Sequence, residues 1–262
     1  MKTNFKSAFV LMPIALILFF FSCDLTDDGN NPKQEFNASS MKQGVSIGEQ
    51  HNIMLSKLYS HLDSIQNLDS LNIDSQVFQF FESSFSLEES SIARDYYLKF
   101  QDKNYDIYQD FTPNLKTEKD NLIQILDNAE FSNISELRLA LDNYSFLTTL
   151  NSNERYAWNV FTDVLYHSFD YWSVNLSNWE QLLNNQNVTL GEPEVPCSER
   201  GSWFSRNWCR AKGYVLSDAA GAAGHSLIAL AFSNPVVFGG VVAAGLASST
   251  STAILNLVKS IL

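Results

Sequence analysis

"NSNERYAWNVFTDVLYHSFDYW", residues 151–172, is the stretch whose period decides the fold class. Ala157, Val160, Phe161, Val164, Leu165, Ser168 and Trp172 recur at intervals of three and four, so they track one broad helical face. Asn151 followed three residues later by Glu154 has the form of a helix start. A face this wide needs other elements to cover it.

The same period runs on both sides. Leu55, Leu58, Leu62, Ile65 and Leu68 make one stripe on a first helix, and Val77, Phe78, Phe81 and Phe85 mark a short second one. Ser86-Leu87-Glu88-Glu89 has the form of a capping box and starts a third, with Ile92, Tyr96 and Phe100 inward. Thr117 with Asp120 caps a fourth carrying Leu122, Ile123 and Leu126, and Ile134, Leu137 and Leu141 mark a fifth. Leu176 to Asn185 reads as a separate last helix of this domain. No alternating run with hairpin turn signals appears, so the fold class is all-α: a multi-helix bundle or array over 45–185.

Residues 186–212 form a breaker-rich linker that turns basic and aromatic, with Arg200, Arg206, Arg210, Lys212, Trp203, Phe204 and Trp208. Residues 213–262 are rich in Ala, Gly, Ser and Val, and Asn234-Pro235 is a turn signal. The simplest picture is a C-terminal Ala/Gly-rich helical hairpin with arms near 209–233 and 236–261. Small residues spaced by four, Ala219 with Ala223 and Gly240 with Ala244, suit close helix packing. Each arm is near the length that crosses a bilayer, so burial against the helical domain and insertion into lipid both stand as readings.

The chain has 262 residues and a net charge of −12. Without residues 1–22, 15 basic and 29 acidic side chains remain, a net −14. So acidic a chain excludes nucleic acid as a partner, since that work rests on cations neutralising phosphates. At the start, Lys2 and Lys6 precede the apolar run Ala8–Phe21, which has the form of a secretory signal and is short for a transmembrane helix. Phe20-Phe21-Ser22-Cys23 resembles a lipobox, the site where a lipoprotein signal peptidase cuts before a cysteine that carries diacylglycerol. The match has a small residue at Ser22 and departs from the pattern at Phe20, where an aliphatic residue is usual. The resemblance implies a signal peptide over 1–22, acylation (palmitate) at Cys23, and a flexible tether over 23–44. Ordinary signal cleavage nearby is the plainer alternative. Asp24, Asp27 and Asp28 follow the cysteine, an acidic cluster of the kind that resembles retention or surface-export signals in Gram-negative bacteria. With Cys23 acylated, Cys197 and Cys209 are an even pair in an oxidising compartment and read as a disulfide.

Two constellations carry polar chemistry. His51 and Asn52, in the first helix's "GEQHN", are candidate ligand-binding residues, with capping or surface placement as the plainer reading. Asp163, His167 and Asp170, at i, i+4 and i+7, are a candidate partial metal site, with a hydrated polar face as the plainer reading and His61 as a possible fourth group. No catalytic motif is present: no phosphate loop, dinucleotide fingerprint, zinc-protease helix or nucleophile elbow. No cofactor is implied.

The layout as a whole resembles an uncharacterised group of exported helical lipoproteins with an Ala/Gly-rich C-terminal tail, which implies no activity. The tail also resembles, in composition, the hydrophobic segments of bacteriocins. The function these readings imply is a lipid-anchored cell-envelope protein of binding or structural type. Its partners are the membrane, through acylated Cys23, and a protein or small ligand of unknown kind. The place is the outer membrane of a Gram-negative bacterium, with surface exposure open. A membrane-active hairpin, and a metal-dependent enzyme using Asp163, His167 and Asp170, are the rivals.

Overall fold

The computed structural model describes residues 44–66, 68, 71–184, 197–231 and 238–257. The readings on the signal peptide, Cys23 and the tether to 43, and on the linker 185–196, lie outside those residues. Among the described residues every regular element is helical: α1 (Ile47–Asp63), α2 (Ile73–Ser84), α3 (Leu87–Gln101), α4 (Pro113–Asp127), α5 (Ile134–Asp142), α6 (Ser152–Asn184), α7 (Trp203–Ala231) and α8 (Phe238–Leu257), with a 3₁₀ turn at Cys197–Glu199. The protein is an all-α helical array.

Local chemistry sets most of the helix starts. Ser46 and Ser86 each accept from the backbone N–H three residues on, while Glu49 and Glu89 reach back to the cap residue's own N–H. Asn151 and Glu154 bond reciprocally in the same way, at 2.8 and 3.0 Å, and open α6. The start of α4 differs from the reading at Thr117. The cap is Thr112, whose side chain accepts from the Leu115 N–H, and Pro113 holds the first helical position, where its missing N–H costs nothing. Thr117 instead bonds back to the Pro113 carbonyl inside the helix. A second difference lies at Leu176–Asn185, which is the continuation of α6 and not a separate helix. No Gly or Pro interrupts 172–184, so nothing breaks the helix there. The first stripe also ends early: α1 stops at Asp63, and Ile65 lies in the turn beyond it.

The C-terminal pair is not appended to the array but built into it. α7 packs most extensively on α6 and α8, and α8 packs on α3 and α1 as well. α8 is long and apolar enough to cross a membrane, yet 78% of its apolar window is buried within the protein. Small residues make this possible. A Cβ placed on Gly221 would sit 2.1 Å from Ser248 Oγ and 2.8 Å from the Ala244 carbonyl oxygen, so the two backbones all but touch there. The hydroxyls in the buried run Ser248–Ser251 are accommodated mainly by their own helix: Ser248 donates to the Ala244 carbonyl at 2.7 Å, and Thr250 to that of Leu246 at 2.6 Å.

The basic aromatic stretch is turned inward. Arg210 pairs with Glu180 at 3.1 Å, Lys212 with Asp127 at 2.7 Å, and Arg206 donates to the Gly201 carbonyl at 2.8 Å. Trp208 is buried and donates to Asp127 at 2.8 Å. Arg210 and Lys212 thus hold α7 to α6 and α4. Cys197 and Cys209 are joined by a disulfide that ties the 3₁₀ turn to the second turn of α7.

Candidate functional site: a sealed histidine–aspartate centre

Asp218 is the only Asp, Glu, Lys or Arg between Lys212 and Lys259. It sits on α7 among alanines and glycines, fully buried. An isolated carboxylate there would carry a large desolvation cost, so it must be paired and hydrogen-bonded. Three donors meet it. His51 of α1 places Nε2 2.9 Å from Oδ1. Trp172 of α6 donates its indole N–H to Oδ2 at 2.9 Å, and Ser168, one turn earlier, donates its hydroxyl to the same oxygen. Helical spacing explains why α6 supplies two donors: i and i+4 lie on one face.

The other side of the imidazole is also fixed. Asn52 donates its amide to the His167 carbonyl at 2.7 Å, which turns its oxygen toward His51 Nδ1, 3.3 Å away. Both ring nitrogens therefore face acceptor oxygens. The imidazole is thus held from both sides, by Asp218 at Nε2 and by Asn52 at Nδ1. Gly245 of α8 closes the remaining side, where an added Cβ would lie 3.3 Å from the His51 ring and 3.2 Å from the Asp218 carbonyl oxygen. One centre thus joins α1, α6, α7 and α8.

This placement corrects the plainer reading of His51 as a cap or surface residue. The cap is Ser46 with Glu49, and His51 is inside. The period gives the reason, since His51 precedes Leu55, Leu58 and Leu62 on the buried face of α1. Asn52 is a tie between α1 and α6.

The candidate metal set falls beside this centre but does not assemble. Asp163 Oδ2 accepts the Gly48 N–H at 2.8 Å, at the first turn of α1, so this carboxylate caps a neighbouring helix. His167 Nε2 lies 3.6 Å from Asp163 Oδ1. Asp170 is exposed. Among the described residues no three His, Cys, Asp or Glu side chains gather as a metal site, and the metal reading of Asp163, His167 and Asp170 is withdrawn. His61 packs its ring against Phe80, with centroids 5.7 Å apart. Burial holds the His167 imidazole below its ordinary range, against the opposing pull of Asp163 and Glu49. Gly48 makes the contact possible, because a Cβ there would meet the His167 ring at 2.6 Å.

The aromatic cluster at the end of the long helix is core. Trp172 stacks on Tyr214 at 4.9 Å, and Trp179 donates to the Tyr171 hydroxyl at 2.9 Å.

Comparison with known proteins adds no family. No protein-family model, no curated protein and no solved structure matches this chain. Its chemistry must be read from its own geometry. Ser168 donates to Asp218 and not to His51, so no base activates the hydroxyl as a nucleophile. His51, Asp218, Ser168 and Trp172 each have 0% exposure, so no substrate reaches them. The centre is a fully satisfied polar joint.

Sequence reasoning missed Asp218 entirely. The signal was present: a single carboxylate in the otherwise uncharged run from Gly213 to Val258 demands a buried partner, and His51 and Ser168 are polar residues on apolar helical faces.

Proposed function

We propose that the chain is a lipid-anchored cell-envelope protein of binding or structural type. It is held in the outer membrane of a Gram-negative bacterium by acyl chains on Cys23. The observation that carries this reading of the helical domain is the sealed centre. The most deeply buried acid–base pair among the described residues, His51 with Asp218, is used to lock four helices together, which turns attention to the exterior of the array as its working surface. The anchor is supported by the basic start, the apolar run and Ser22-Cys23. A Cys197–Cys209 disulfide suits a protein exported to an oxidising compartment. Two or more acyl chains give stable anchoring, at about 0.8 kcal/mol per buried CH₂.

Insertion of the C-terminal hairpin is the weaker reading. It would have to pull Asp218 away from His51, Ser168 and Trp172 and part α8 from α3.

Radiolabelled palmitate added to cells making the chain tests the anchor. The label is expected on the native chain and absent from Cys23→Ser, which should also leave the membrane fraction. An unlabelled native chain with an intact, unacylated mature start would overturn it.

A further inference from the structure

An open groove of about 210 Å³ lies between α2 and α3. Its apolar wall is Phe78 and Phe81 from α2 and Leu87 from α3. Phe81 is buried, whereas Leu87 is 90% exposed, the most solvent-facing large apolar side chain on α3. Helix geometry places two opposite charges on this wall. Glu82 lies one turn beyond Phe78 on α2, Arg94 lies two turns beyond Leu87 on α3, and both line the groove.

Neither charge is in an ion pair among the described residues. Lys99, Lys116, Lys119, Arg138, Arg210 and Lys212 all pair with carboxylates. Arg94 has no ion pair among the described residues, and its guanidinium lies over the Phe78 ring, 4.5 Å from the centroid. That contact leaves the edge of the guanidinium, with its fork of N–H donors, free for a planar anion. Among the described residues Glu82 likewise has no cationic partner, and it lines the same groove. The Ser90 hydroxyl is committed to the Phe81 carbonyl at 2.8 Å, and that bond holds the two helices at this spacing.

The combination selects its ligand. An apolar wall alone would accept any small hydrophobe. A lone arginine beside it would favour an anion, but Glu82 would repel it. A lone glutamate would favour an amine, which Arg94 would repel. A zwitterion with an apolar side chain meets all three features. The groove is smaller than the roughly 300 Å³ at which drug-sized sites begin, and it holds the volume of about seven waters. We propose that the α2–α3 groove binds a free apolar α-amino acid, its carboxylate on Arg94, its ammonium on Glu82 and its side chain against Phe78, Phe81 and Leu87.

This names a ligand class for the binding half of the proposed function, and it rests on that half alone. Acylation at Cys23 is independent of it, so a chain that is never acylated keeps the groove. The site is open and both charges are screened, so the affinity is on the order of millimolar.

Amide-shift titration of the purified chain tests the proposal, with L-phenylalanine, N-acetyl-L-phenylalanine and L-phenylalaninamide as probes. Phenylalanine is expected to saturate, with shifts centred on Phe81, Ser90, Ser91 and Arg94. Each derivative lacks one charge and is expected to bind about fivefold more weakly, the yield of a single exposed ion pair. Arg94→Gln should weaken phenylalanine by a similar factor and strengthen phenylalaninamide, whose ammonium it no longer repels, and Glu82→Gln should mirror this with the N-acetyl compound. Both variants change exposed side chains, and the probe series on the native chain needs neither of them. No saturable shift at the groove, or equal binding of the three probes, would overturn the proposal. Tighter binding of the N-acetyl compound would also overturn it, and would point to the end of a peptide.

Discussion

Two helix pairs in this protein meet in opposite ways. α7 and α8 touch through Gly221, Ala244 and Ser248, with almost no side chain between the backbones. α2 and α3 meet through rings: Tyr97 of α3 lies edge to face with Phe78 and Phe81 of α2, with centroids 5.2 and 6.2 Å apart. Small residues leave no room, so the first contact is tight and intolerant of added atoms. Rings are stiff and bulky, so the second leaves a gap wherever two of them fail to interlock. The lesson is that the stretch most like a membrane segment is the most closely built part of the core, while the open surface lies where the side chains are largest.

The contrast can be broken hardest at Asp218. Asp218→Ala removes the acceptor shared by His51, Ser168 and Trp172 and strands a buried imidazole. It is expected to cost about 3–5 kcal/mol in urea unfolding followed by circular dichroism. Next comes Gly221→Ala. The new methyl must displace Ser248 and crowds the Ala244 carbonyl oxygen, so a loss of about 1–3 kcal/mol is expected despite the better helix propensity of alanine. In the α2–α3 pair, Ser91→Ala sharpens the comparison: it alters an exposed groove residue and is expected to move stability by less than about 0.5 kcal/mol.

The smallest effect is a pH dependence. Burial lowers the folded-state affinity of His167 for its proton below the ordinary value of 6.5, although Asp163 and Glu49 oppose this and Arg138 assists it. The unfolded chain therefore takes up the proton first. Stability from this residue is fully present above 6.5 and is lost as pH falls below it, levelling off once the folded form is protonated too. Urea midpoints at neutral pH and at about pH 5 should show this loss. His167→Gln should flatten that part of the profile.

How much of this was legible in the sequence follows from the range of the interactions. Helix existence and face depend on neighbours three and four residues away, so α3, α5, the face of α1 and the first half of α6 could be read directly, while the end of α1 and the continuation of α6 past Leu176 could not. The start of α4 was misplaced because Thr117-Asp120 and Thr112-Pro113 both look like helix starts, and only the second also suits the fixed backbone of proline. The site was less legible. His51 and Asp218 are 167 residues apart, and Asp218 and Ser168 are 50 apart. No local period connects such residues. Only the cost of burying a lone carboxylate could have paired them. The groove was invisible for another reason: Glu82 and Arg94 gain meaning from lacking an ion pair among the described residues, which a sequence does not display.

The 167-residue span between His51 and Asp218 also sets a clock. Synthesis runs from the N-terminus at about 5–20 residues per second, so His51 exists for roughly 8–30 seconds before Asp218 does. Through that interval the apolar stripe of α1 has neither its anchor on α7 nor its cover on α8. Completion of the centre is therefore a late event in the life of each chain, and whatever shields nascent helices must hold α1 until α7 and α8 have been made.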